Sequence, residues 1–97
     1  MTRVVWSRPS TRDLIEIDGY LEQHDKAAAI RMIKAIRSTA ALLARFPALG
    51  PPLKGDIHYL GVRTTPYVIV YRLHEGRVEV LRIRHERQNW LAERPSE

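Results

Sequence analysis

VRTTPYVIVYRLHEGRVEVLRIRHERQNW, residues 62–90, decides the fold. Two runs rich in β-branched and aromatic residues, Pro66 to Leu73 and Val78 to Ile83, flank the connection His74-Glu75-Gly76. Apolar runs of strand length around a short, glycine-containing connection predict a β-hairpin. The first run is apolar at both parities, with Tyr67, Ile69, Tyr71 and Leu73 on one and Val68 and Val70 on the other. Such a strand belongs in the middle of a sheet, covered on both faces. The second run divides. Leu81, Ile83 and His85 share one parity; Val78, Val80, Arg82 and Arg84 share the other. Simple alternation therefore turns Arg82 and Arg84 away from Leu81 and Ile83, onto a face the helices leave uncovered.

Upstream, Val4-Val5-Trp6 predicts a short edge strand. Ser7, Pro9 and Ser10 signal a helix start, with Ser10 and Asp13 as a capping arrangement. Leu14, Ile17 and Leu21 recur at helical spacing, flanked by Ile15 and Tyr20, and predict a helix over 9–24. Asp25 caps a second helix ending near Arg45, with Ala29, Ile33, Ile36, Ala40 and Leu43 on its apolar face and Arg31, Lys34 and Ser38 opposite. So short a connection makes an antiparallel αα-hairpin. Pro47 to Pro52 reads as a loop, and 57–64 as a strand leading into the central hairpin. The fold class is α+β: β-α-α-β-β-β, an antiparallel sheet with an αα-hairpin packed on one face, in one domain over 1–97.

Composition narrows the function. There is no cysteine among the 97 residues, which excludes disulfide scaffolds and thiolate zinc sites and fits a reducing compartment. MTRVVWSRPS lacks the apolar stretch of a signal peptide, so a cytoplasmic location is expected. A formal net charge of +5 favours acidic partners such as nucleic acid or an acidic protein. A membrane surface fits least, because no helix joins a basic face to a bulky aromatic one.

His24, His58, His74 and His85 show no metal-ligand spacing, so neither metal nor cofactor is expected. The serines lack a nucleophile elbow, and the glycines stand singly. What remains is Lys54, Arg63, Arg72, Arg82, Arg84, His85, Arg87 and Trp90. Such a set can hold a phosphate backbone, stack a base or assist proton transfer. Arg72 also reads as a strand-end cap, His85 as a half-buried histidine, and Trp90 as a lid over the core edge. An acidic protein segment could use Arg82 and Arg84 equally well.

The chain resembles the RelE/ParE toxin superfamily, the toxic halves of bacterial type II toxin–antitoxin modules. The resemblance rests on Asp13, Leu14 and Ile17, on Phe46-Pro47-Ala48-Leu49-Gly50, on Tyr67-Val68-Ile69-Val70-Tyr71-Arg72, and on the segment from Val80 to Trp90. It implies a toxin neutralised by a ParD- or RelB-like antitoxin, in a hetero-oligomer that reaches promoter DNA only through the antitoxin. RelE-type members are similar in fold and cleave mRNA on the ribosome, using strand lysines and an arginine after the first tyrosine of the central strand. Here those positions hold Tyr59, Gly61 and Val68. Arg87 fits their post-strand arginine, and no tyrosine follows it. The longer helical hairpin resembles the ParE branch, which poisons DNA gyrase with no nuclease activity. Gyrase inhibition is therefore the favoured expectation and ribosome-dependent mRNA cleavage the alternative. A nontoxic relic or a plain nucleic-acid-binding module is a third. The residues expected to bind antitoxin or target are Arg63, Arg82, Arg84, Arg87 and Trp90; the nuclease alternative would use Arg63, His85 and Arg87.

Overall fold

The computed structural model describes residues 2–88. The chain runs β1 (Arg3–Trp6), α1 (Arg8–His24), α2 (Lys26–Leu42), β2 (Pro52–Lys54), β3 (Ile57–Gly61), β4 (Tyr67–His74) and β5 (Arg77–His85). One five-stranded sheet forms in the order β1-β5-β4-β3-β2. β4 is central, as its two-sided apolar pattern requires. Neighbouring strands are antiparallel except β1, which runs parallel to β5. β2 falls just after the proline loop, where the sequence predicts no strand; three residues with a proline among them leave too little pattern to read.

The central hairpin closes more tightly than its composition suggests. His74 pairs with Arg77, leaving a two-residue turn at Glu75 (φ 48°) and Gly76 (φ 72°). Positive φ at both positions defines the turn whose twist matches that of the strands it joins.

The hairpin also departs from simple alternation. Tyr71 pairs with Val80 but Val70 with Arg82, so Leu81 is an extra residue on β5. A bulge of this kind resets which face the following side chains take. Val78, Val80 and Ile83 consequently share the main core with Ile69, Tyr71, Ile36 and Leu43. Leu81 joins Ile57 and Val70 in a smaller cluster with Leu53. This corrects the expected pairing of Leu81 with Ile83 on one face.

Helix α1 starts one residue before the expected Pro9, and Ser7 rather than Ser10 caps it. The Ser7 Oγ accepts the Ser10 amide at 3.2 Å and donates to the Leu81 carbonyl at 3.0 Å. Its own amide donates to the Val80 carbonyl at 3.0 Å. One serine thus begins the helix and stitches that start to β5. Ser10 and Asp13 are buried instead of forming a cap. Asp25 caps α2 as expected, its Oδ1 accepting the Ala28 amide at 3.1 Å. α2 ends at Leu42, slightly short of the expected Arg45, and tighter turns carry the chain on.

The loop after α2 is held from inside the sheet. The fully buried Tyr71 donates its hydroxyl to the Pro47 carbonyl at 2.8 Å and accepts the Gly50 amide at 3.0 Å. His58, with its ring 5.3 Å from that of Tyr71, donates Nδ1–H to the Gly50 carbonyl at 2.8 Å. The segment Phe46-Pro47-Ala48-Leu49-Gly50 therefore has a physical reason for its shape. The backbone of the buried Gly50 would otherwise lack partners for its amide and carbonyl.

Candidate functional site

β1 pairs with β5 only as far as Val80, so the edge of β5 beyond it needs another partner. Helix α1 supplies one. The Asp13 carboxylate accepts the Ile83 amide at 3.0 Å. It also receives the Arg82 guanidinium side-on, Nε to Oδ2 at 2.8 Å and Nη2 to Oδ1 at 2.9 Å. Asp13 is only 9% exposed. A nearly buried carboxylate satisfied by a fork of two donors and a strand amide makes a strong, directional contact. Arg82 pairs with Val70 and so lies away from Ile83, as expected, but its side chain reaches Asp13 at the edge that β1 leaves open and ties α1 to β5. The expectation that it stands uncovered by the helices is corrected to that extent.

Beyond this bridge lies a cleft of about 520 Å³ between the helices and the open ends of β4 and β5. Asp13, Glu16, Ile17, Tyr20 and Leu21 line it from α1, Met32 from α2, and Pro66, Tyr67, Arg82, Ile83, Arg84, His85 and Gln88 from β4, β5 and the residues at their ends. The floor is apolar, and Glu16, Arg84 and His85 give it charge or hydrogen-bonding capacity. A concave, mostly apolar surface with a few converging polar groups is a binding geometry.

The expected site residues do not all meet there. Arg82, Arg84 and His85 line the cleft, all half-buried. Arg63 is exposed just beyond β3, beside Thr64 with φ 64°. Arg87 is exposed, and its backbone amide donates to the His85 Nδ1 at 3.0 Å. Arg72 is 3.5 Å from Asp56 on β4's other end, in keeping with a strand-end role. Trp90 lies outside the described residues. The sequence reading missed Asp13, Glu16 and Tyr20 as site-forming residues. Asp13 had a signal: a carboxylate at the head of the stripe Leu14, Ile17 and Leu21 must find a cation or amide when that stripe is buried.

The His85 bond limits the chemistry. With Nδ1 accepting an amide, the ring proton sits on Nε2, which then donates. The ring meets Tyr67 edge-on, with centroids 5.5 Å apart. Neither contact prepares a base for a nucleophile. Among the described residues, no group of three or more His, Cys, Asp or Glu side chains could hold a metal. No helix among them is long and apolar enough to cross a membrane.

Burial pushes the Tyr67 hydroxyl above its ordinary value of 10.0, and Tyr20 adds repulsion once both ionise. Burial raises Tyr71 also, against the Gly50 backbone hydrogen bond, which pulls it down. A raised folded value means that both hydroxyls keep their protons below the unfolded value near 10, where the stabilisation is complete. It is lost as pH climbs past about 10 toward the folded values. Urea unfolding should therefore show stability falling from about pH 10 upward, and Tyr67→Phe should flatten that fall. An unchanged slope in the variant would show that the Tyr67 ring is not desolvated.

Comparison with known proteins places this geometry. Residues 4–90 match the sequence profile of the family described as the ParE toxin of the type II toxin–antitoxin system parDE. A Sinorhizobium fredii protein carrying the name toxin Y4kP is 35% identical over 89 residues, covering 91% of this chain and 92% of the relative. Toxin RelE2 of Caulobacter vibrioides is 36% identical over 85 residues, covering 88% and 96%. Among solved structures, a chain of the chromosomal ParDE system of P. aeruginosa superposes with a TM-score of 0.75 at 20% identity, covering 88% of this chain and 96% of that one. A chain of the RelBE2 toxin–antitoxin complex of Mycobacterium tuberculosis gives 0.64 at 23% identity, covering 87% and 96%. Those two likenesses concern the fold.

Proposed function

The chain belongs to the ParE toxin family, within the RelE/ParE superfamily of type II toxin–antitoxin toxins, and from that premise we propose that it inhibits DNA gyrase as a binding protein. The observation that carries the reading is what stands at the positions an mRNA-cleaving relative would need. Tyr59 and Gly61 occupy β3 and Val68 follows Tyr67, so the strand cations of that chemistry are missing. Stabilising a developing phosphorane is mainly electrostatic, and losing those cations forfeits most of it. The amide on the His85 Nδ1 supports the same reading, since it leaves the ring poorly set to act as a base.

In this proposal the target and the antitoxin meet the open end of β4 and β5. Arg84 and the exposed Arg63 and Arg87 supply positive charge, and the cleft supplies apolar area. Arg82 serves the fold. An antitoxin segment with an apolar anchor and acidic flanks would suit this surface, and would neutralise the toxin by covering it. That the superposed P. aeruginosa and M. tuberculosis chains come from toxin–antitoxin systems supports an antitoxin partner here.

Induction without antitoxin provides the cellular test. Thymidine incorporation should stop before methionine incorporation falls, and co-expressed antitoxin should restore both. Protein synthesis failing first, with mRNA cut at codon-spaced positions and the cuts abolished by His85→Ala, would establish the ribosome as the target instead.

A further inference from the structure

The whole positive excess of the chain sits in one stretch. Residues 26–55 contain Lys26, Arg31, Lys34, Arg37, Arg45 and Lys54 and no carboxylate; in the rest of the sequence the eleven acids outnumber the cations. Four of these cations lie on α2, and Arg45 follows in the turn after it. All five are exposed. Among the described residues none of the five is paired with a carboxylate, unlike Arg72 and Arg82.

Their spacing makes a surface. At about 100° per residue, Lys26 and Arg37 fall on one edge of the solvent-facing arc and Arg31 on the other, roughly 120–140° away, with Lys34 between. Ala27, Ile30, Ser38 and Ala41 fill the same arc and are exposed, so the arc itself holds no aromatic ring; the exposed Phe46 lies past the end of α2, with the Arg45 guanidinium 5.9 Å from its ring centre. The opposite side, with Ala29, Ile36 and Ala40, is buried on the sheet.

We propose that the exposed face of α2 binds the phosphate backbone of duplex DNA without regard to sequence, a contact made by the toxin itself. Charge complementarity is the first argument: unpaired cations on a rigid helix lose little when they meet phosphates and gain the release of counterions. Shape is the second. A helix of 10–12 Å diameter fits across the roughly 12 Å major groove of B-form DNA, so cations on both edges of the arc reach the two flanking backbones while small residues face the groove. The major groove of A-form RNA is too narrow for that arrangement. The lack of an aromatic ring on the α2 arc argues against single strands, which are held by stacking. A protein partner would be expected to find a cluster of apolar anchors at the centre of the surface; within the arc Ile30 is the one large apolar side chain, and the exposed Leu42 and Phe46 stand at its edge and beyond it. On the neighbouring helix α1, Glu16, Asp18 and Glu22 outnumber Arg8 and Arg12, so α1 does not extend the cationic surface. The inference stands independently of the gyrase reading.

The test is fluorescence anisotropy of the full-length toxin with a random-sequence DNA duplex of about 24 base pairs, titrated from about 50 to 200 mM salt. Binding should weaken with a log–log slope of about −3 to −4, that is, about 0.9 for each of four phosphates. The triple variant Arg31→Gln, Lys34→Gln, Arg37→Gln should lose at least about tenfold in affinity and most of that slope. All three side chains are exposed, so it should fold and melt like the parent. A charge-matched control, Arg3→Gln, Arg12→Gln, Arg77→Gln, removes cations outside α2 and should bind nearly as the parent does. Equal loss in the control, no binding at the lowest salt, or tighter binding to an RNA duplex or to poly-glutamate would each overturn the proposal.

Discussion

Asp13→Ala is expected to lower the stability of the domain by about 2–4 kcal/mol, read as a fall in melting temperature of roughly 10–25 °C. Three donors lose their acceptor at once: the Arg82 Nε and Nη2 and the Ile83 amide. Removing one partner of a buried pair costs about 3–5 kcal/mol, because the other charge stays without compensation. The figure is reduced here because the Arg82 side chain is 27% exposed and can turn partly to water. Asp13→Asn should lose less, since an amide oxygen still accepts from Ile83. Arg82→Met should cost a comparable amount, because it leaves the nearly buried Asp13 carboxylate without its cation, while the double variant Asp13→Ala, Arg82→Met should recover part of the loss. If Arg82→Met instead left stability untouched while abolishing antitoxin binding, Arg82 would be a recognition residue and its placement in the fold incidental.

Gly50→Ala should be at least as damaging, with an expected loss above about 3 kcal/mol and little soluble protein at 37 °C. The reason is space, not backbone conformation. A Cβ on Gly50 would sit 2.2 Å from the Tyr59 carbonyl oxygen and 2.9 Å from its carbon, both backbone atoms of β3. It would also lie 3.0 Å from the Tyr71 hydroxyl. Neither strand nor ring can retreat, because the ring is fully buried and its hydroxyl holds both the Pro47 carbonyl and the Gly50 amide. Tyr71→Phe separates the contributions. It leaves the volume unchanged and strips a partner from each backbone group, for a loss of about 1–3 kcal/mol. An alanine variant that melts within a degree or two of the parent would show that the loop has another way to pack.

These two contacts also mark where the sequence was readable and where it was not. Local pattern carried far: Tyr67 to Leu73 announced a central strand by being apolar at both parities, and the stripes of α1 and α2 fixed which faces they bury. What local pattern cannot express is a bulge. Leu81 looks like any alternating residue until the pairing of Val70 with Arg82 shows the extra position. One displaced residue then reassigned Leu81 and Ile83 to different clusters, and at the edge that β1 leaves open Arg82 meets Asp13, far away in sequence. The candidate site was half legible for the same reason. Arg84 and His85 could be picked from the strand end, whereas Glu16 and Tyr20 join them only through the packing of α1 on β5. Arg31 and Lys34 were visible on the polar face of α2, but whether they had partners depended on tertiary structure.

The most direct test of the functional account is a supercoiling assay with purified gyrase and relaxed plasmid. The account predicts that the toxin inhibits supercoiling or traps cleaved DNA, that added antitoxin relieves this, and that Arg84→Glu weakens it while a translation extract given the same toxin keeps its mRNA intact. Full supercoiling activity in the presence of toxin, together with cleaved mRNA in that extract, would contradict it.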